Sequence, residues 1–208
     1  MIPLPKAYDV LTMLSAILRK PVSRVVDPVA VFLLRIGITP NGMTFFGSLG
    51  TSAMALWLWP QGEYFWGTMG VIVFIFSDLL DGTMARISKK SSQWGAFFDS
   101  TIDRVVDVAL IGALLLSLLR TDDRLALVAF AALIGGFLVS YVKARAQALG
   151  LECDGGFAER AERVIILLTA VGFAGLGVPY ILAIGIWILA ISSLATFVFR
   201  VYQVWKQR

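Results

Sequence analysis

Five aspartates, Asp78, Asp81, Asp99, Asp103 and Asp107, fall in or against apolar sequence in the run FSDLLDGTMARISKKSSQWGAFFDSTIDRVVD, residues 76–107. A carboxylate at the centre of a hydrocarbon slab costs about 2.5–3.5 kcal/mol on insertion scales, so a group of them demands a neutralising partner. Spacing narrows what that partner is. Asp78 and Asp81 stand three residues apart and Asp99 and Asp103 four apart, so on helices each pair shares a face, with Cβ atoms about 5–6 Å from one another. Two such pairs facing each other make an oxygen-rich cage for a hard divalent cation, Mg2+ or Mn2+, which also takes phosphate oxygens. Zinc fits poorly, because the chain has no histidine and a single cysteine, Cys153, set among Glu152, Asp154, Gly155 and Gly156 with no partner for a disulfide. Without histidine, proton transfer near neutral pH falls to a carboxylate, a lysine, a tyrosine or the substrate. The structural alternative for the aspartates is a set of helix caps and ion pairs with Arg86, Lys89, Lys90 and Arg104. Gly82 and Gly95, lacking a Cβ inside helical stretches, permit close approach of another helix or of a ligand's phosphates.

The elements that must carry these residues are membrane helices. Of 208 residues 58% are hydrophobic and only 15% charged, and the mean hydropathy is +0.82, far above a soluble domain. The expected fold is an all-α polytopic membrane protein, one domain over residues 1–208. Residues 1–36 form an amphipathic juxtamembrane segment, with apolar positions at helical spacing interrupted by Pro21 and Pro28. Six transmembrane helices then occupy 43–201, at about 43–59, 65–86, 94–118, 125–147, 160–176 and 178–201. If the N-terminus is cytoplasmic, nearly all of the 18 lysines and arginines fall on that side, while Arg120 and Arg124 alone face the other; both termini and the aspartates are therefore expected at the cytoplasmic face of the cell membrane. The net charge of +4 then records topology and anionic lipid, not nucleic acid. Lys6, Asp9, Arg19 and Lys20 break the pattern of a cleaved signal peptide.

The run Asp78-x2-Asp81-Gly82-x2-Ala85-Arg86-x8-Gly95-x3-Asp99-x3-Asp103 resembles, at every fixed position, the signature of the CDP-alcohol phosphotransferase family. Six spans and the TPNGMT segment before the first of them are similar as well. The resemblance implies two divalent metals, one held by Asp78, Asp81 and Asp99, the other by Asp78, Asp99 and Asp103, with Asp103 also the general base. It further implies that Asn41, Gly42, Met43, Thr44, Gly82, Arg86 and Ser92 contact the CDP part of a CDP-diacylglycerol donor. Asp107 lies one turn beyond the signature, as a possible support to the ligands. Two cations typically about 3.5–4 Å apart neutralise a pyrophosphate and make CMP an acceptable leaving group.

A second cluster, SYVKARAQALGLECDGGFAERAERVII at residues 140–166, gathers cations that positive-inside topology and snorkelling could explain. A phosphorylated acceptor would need such cations converging, with arginine preferred for bidentate contacts. SYVKARA and ERAER resemble the actinobacterial branch of the family that makes phosphatidylinositol phosphate. That likeness implies inositol phosphate as acceptor, its phosphate bound by Ser140, Lys143, Arg160 and Arg200; Arg145 and Arg163 are explained equally well by helix-end packing. The alternatives are glycerol 3-phosphate as acceptor and, in a different class, a cation or proton transporter, against which stands the crowding of polar groups at one side. The resemblance also suggests a homodimer, and small residues such as Gly47, Ser48, Gly50, Ser52 and Ala53 suit helix packing within or between subunits.

Overall fold

The computed structural model describes residues 26–88 and 92–207, apart from the side chains of Asp78, Leu79 and Asp123. Most of the expected amphipathic segment over 1–36 lies outside the described residues; within them Val26–Arg35 is helical and is denoted α1. Then follow α2 (Pro40–Leu58), a 3-10 turn (Trp59–Gln61), α3 (Tyr64–Ser88), α4 (Gln93–Leu118), α5 (Asp123–Ala148), α6 (Arg160–Gly175) and α7 (Ile181–Trp205), with no strand among the described residues. These six long helices occupy the six expected stretches.

Local chemistry explains where they start and stop. Gly37, at φ 89°, ends α1: its N–H donates to Leu34 O, and Ile38 N–H donates to Leu33 O, a pairing that needs a left-handed residue at this position. Thr39 caps α2, its Oγ1 accepting from Gly42 N at 3.1 Å, with Pro40 in the first helical position, where its missing N–H costs nothing. The segment Asn41–Thr44, expected to precede the first span, is therefore the first turn of α2. Asp122 caps α5, accepting from Arg124 N and Leu125 N at 3.1 Å each.

Three helices are long and apolar enough to cross a membrane unaided, Tyr64–Ser88, Arg124–Ala148 and Ile181–Trp205, or four spans if residues 26–35 and Pro40–Gln61 count as one broken span. Two of the others depart for visible reasons. Asp99, Asp103, Arg104 and Asp107 interrupt α4, and the 16 residues of α6 rise only about 24 Å at 1.5 Å each, short of the ~30 Å hydrocarbon core.

The described residues form two compact units, one made of those up to Gly47 with Phe76–Asp99, the other of Ser48–Ile75 with those from Ser100 on. The second contains the main apolar core, including Trp59, Val71, Leu110, Leu114, Leu167, Val171, Ile186 and Leu189. There α7 packs on α5 and α6 through small residues: Gly185 lies against Ala170, Gly135 against Ser193, and on α6 Gly172 meets Thr68 of α3. Lipid tails are as apolar as leucine, so membrane helices associate by such close backbone contact. The outer faces of α5 and α7 expose Leu127, Phe130, Phe137, Trp187, Ile191 and Val198, as contact with lipid requires.

A Cβ at Gly185 would overlap that of Ala170. Gly185→Leu is expected to destabilise the bundle by about 1–3 kcal/mol through overpacking, read as a lower melting temperature of the purified protein in detergent. An unchanged melting temperature would refute the α6–α7 contact.

Candidate functional site

In the first unit, α3 carries Asp78 and Asp81 and the start of α4 carries Asp99. Asp81 is buried, 9% exposed, and its Oδ2 stands 2.6 Å from Thr44 Oγ1. That hydroxyl is also 3.1 Å from Pro40 O. It has a single proton, and the closer, charged acceptor takes it. Gly82 follows Asp81, and among the described residues a Cβ built there would meet nothing within 4 Å. Helix packing therefore does not explain this glycine, whereas open approach to the backbone beside a carboxylate suits a ligand. Arg86 donates to Thr83 Oγ1 at 2.9 Å and lies in the last turn of α3, where the helix dipole favours a cation. Ser92 caps α4, accepting from Gly95 N at 3.0 Å. A Cβ on Gly95 would stand 3.2 Å from Ser92 Oγ and 3.4 Å from Asn41 Oδ1. An open cleft of about 660 Å3 in this unit is lined by residues that include Asn41, Thr39, Ser88 and Ser92.

The second unit holds the cations. Its segment of α4 carries Asp103 and Asp107, four residues apart on one stripe of the helix. Arg160, at the start of α6, bridges them: its Nη1 lies 2.8 Å from Asp103 Oδ1 and its Nε 3.3 Å from Asp107 Oδ1. Arg104 reaches both carboxylates, at 3.8 and 3.6 Å, and donates to Ser140 Oγ on α5, which in turn donates to Gly136 O at 3.1 Å. Arg163, almost fully buried, stands 3.5 Å from Asp107 Oδ2 and donates to Ala158 O at 3.2 Å. Ion pairing of α4 aspartates with Arg104, the structural alternative read from the sequence, is therefore present, though most of the pairing comes from α6.

Lys143 and Arg200 form a separate group around the loop between α5 and α6. Lys143 Nζ is 2.7 Å from Asp154 Oδ1. Arg200 is buried, 3% exposed, and its guanidinium donates to Gly155 O and Val139 O at 3.0 and 2.9 Å and pairs with Glu159 at 3.5 Å. Thr196 Oγ1 accepts from Phe157 N and Ala158 N, and Gln207 clasps the backbone of Glu152. Arg145 is exposed at the end of α5. Of the four residues expected to bind an acceptor phosphate, Ser140 and Arg160 thus share one network, while Lys143 and Arg200 are tied to the loop.

The sequence reading set Arg104 among the ion-pair partners of the aspartates but missed its bond to Ser140, which joins α4 to α5, and it missed Thr196 on α7 and Gln207 just beyond α7, which fasten the loop. The spacing Asp103-Arg104-x2-Asp107 was a signal for the first. Nothing in the periodicity of α7 marked the other two.

Among the described residues no three carboxylates or thiols gather into a metal site; Asp78's side chain lies outside them, and Asp81 and Asp99 belong to one unit and Asp103 to the other. The donor chemistry still fits a hard divalent cation: oxygen ligands alone are on offer, one of them oriented by Thr44.

A family model described as CDP-alcohol phosphatidyltransferase matches residues 37–199. The chain belongs to that family. Among its members, a phosphatidylinositol phosphate synthase of Streptomyces avermitilis is 44% identical over 204 residues, covering 94% of this chain and 84% of that one. The crystal structure of Mycobacterium tuberculosis phosphatidylinositol phosphate synthase with CDP-DAG bound is similar at a TM-score of 0.84 and 40% identity, covering 88% of this chain and 94% of that one. The structure of the same enzyme in complex with manganese and citrate also aligns at 0.84 and 40%, covering 86% and 88%. Membership in this membrane-enzyme family sets aside the transporter alternative.

Burial pushes the Cys153 thiol above its ordinary pKa, with Arg200 pulling it down, Asp154 adding to the rise and Lys143 opposing it. The Lys143 ammonium, first by hydrogen bond and then by charge, holds the Asp154 carboxyl below its ordinary value. A raised thiol pKa leaves less thiolate, the reactive form, at neutral pH. N-ethylmaleimide at pH 7.4 is therefore expected to label Cys153 slowly in the folded protein and completely in SDS, measured by intact mass. Rapid labelling of the folded protein would mean that the loop does not bury its thiol.

Proposed function

We propose that this chain transfers the phosphatidyl group of CDP-diacylglycerol to 1D-myo-inositol 3-phosphate, releasing CMP and forming phosphatidylinositol phosphate. The observation that carries the reading is the Arg160–Asp103 pair at 2.8 Å: a guanidinium suited to the acceptor's phosphate stands against the carboxylate suited to its proton. The relatives, phosphatidylinositol phosphate synthases over most of their length, favour inositol phosphate over glycerol 3-phosphate as the acceptor.

In this reading the acceptor hydroxyl oxygen bonds to the phosphorus that bears the diacylglycerol, the bond from that phosphorus to the CMP oxygen breaks, and the hydroxyl proton passes to Asp103. Asp78, Asp81, Asp99 and Asp103 would hold two divalent cations, Mg2+ or Mn2+, whose charge neutralises the pyrophosphate and the departing CMP. Asn41, Gly42, Met43 and Thr44 form the first turn of α2, whose positive dipole end suits phosphate oxygens, although Gly42 N–H and Met43 N–H already donate to Thr39. With Gly82, Arg86 and Ser92 they receive the CDP group. Arg160 has five N–H donors and so can hold a phosphate without abandoning its carboxylates; Ser140, Lys143 and Arg200 complete the acceptor site. The helices α2–α7 span the cell membrane with both termini and the site on the cytoplasmic side, in a homodimer.

The purified protein is expected to release CMP from CDP-diacylglycerol with inositol phosphate and Mg2+ or Mn2+, to stop on chelation, and to lose on the order of 10²–10⁴-fold in rate in Asp103→Asn. CMP release with glycerol 3-phosphate and not inositol phosphate would overturn the acceptor. Thr44→Val, by releasing Asp81, is expected to shift the Mg2+ dependence of CMP release upward by about 10–100-fold; an unchanged midpoint would separate Thr44 from metal binding.

A further inference from the structure

We infer that Asp107 is a positioning residue for the acceptor phosphate: it grips the Nε edge of Arg160 and so aims the outer nitrogens of that guanidinium at Asp103 and the acceptor. The inference rests on the reading of Arg160 as a phosphate ligand given above. Asp107 meets all three guanidiniums of the cluster, Arg160 on Oδ1 at 3.3 Å and Arg104 and Arg163 on Oδ2 at 3.6 and 3.5 Å.

The three arginines are not equivalent. Arg104 spends a nitrogen on Ser140, which joins α4 to α5, and Arg163 spends one on Ala158 O in the loop that precedes α6. Arg163 is only 7% exposed, whereas Arg160 is 29% exposed, and Arg160 reaches from Asp107 to the carboxylate assigned the proton transfer. A guanidinium fixed along its Nε edge keeps its plane, and two parallel N–H bonds to a phosphate demand a fixed plane. A long arginine side chain without that grip would have to be ordered by the acceptor itself, at an entropic cost borne in binding. Asp107 therefore acts on the acceptor through Arg160 and has no part in binding the CDP-lipid.

The test is steady-state CMP release in detergent, with inositol phosphate and CDP-diacylglycerol varied in turn. Asp107→Asn is expected to raise the KM for inositol phosphate roughly tenfold and to leave the KM for CDP-diacylglycerol unchanged. Arg160→Lys keeps the charge and loses the Nε edge, so it is expected to produce the same one-sided rise. It also decides the matter if Asp107→Asn does not fold. In the double variant the rise should exceed that of Arg160→Lys alone by no more than about twofold, because the grip has nothing left to hold. Equal rises in both KM values, a full multiplicative effect in the double variant, or an unaffected inositol phosphate KM in Arg160→Lys would each overturn the inference. Wild type that uses only glycerol 3-phosphate would overturn the acceptor assignment, and the same one-sided rise would then be sought with that acceptor. Wild type that uses neither phosphate would overturn both.

Discussion

A carboxylate on an apolar helix is tolerable only with a cation against it, and around α4 that requirement organises the polar end of the second unit. Asp103 and Asp107 are met by Arg104 from their own helix and by Arg160 and Arg163 from α6. Among the described residues, three guanidiniums lie within ion-pair distance of these two carboxylates. Each carboxylate is met by more than one guanidinium, so the loss of a carboxylate would leave several cations without their counter-charge, a destabilising change. The electrostatic need therefore holds α4 to α6, and through Ser140 to α5, while close contact of small residues holds the apolar remainder.

Guanidiniums gathered in this way suit a phosphorylated substrate, because arginine offers paired N–H donors to phosphate oxygens. Arg200 plays a different part. It is buried and donates to two backbone carbonyls, fastening the loop that carries Asp154 and Cys153.

The first unit works by a complementary principle. There the buried carboxylate of Asp81 accepts a hydrogen bond from the Thr44 hydroxyl, which fixes the direction of one of its oxygens. Among the described residues the backbone at the adjoining Gly82 is open, and the same unit has a cleft lined by Asn41 and Ser92. Oriented oxygen ligands next to open space are what a divalent cation and the phosphates it bridges require.

The sequence by itself determined the helices, because their signals are local: apolar runs of spanning length, Thr39 and Asp122 as caps, Gly37 as a stop. It also carried the family, because the aspartates repeat at helical spacing within a few turns, and that spacing survives any packing. What only the tertiary structure decided is which cation answers which carboxylate. Arg160 on Asp103, Asp154 on Lys143, Thr44 on Asp81 and Arg200 on the α5–α6 loop join residues 11 to 57 positions apart. Such pairings depend on how each helix is rotated about its axis against its neighbours. That rotation is set by contacts such as Gly185 on Ala170, which no periodicity within a single helix encodes.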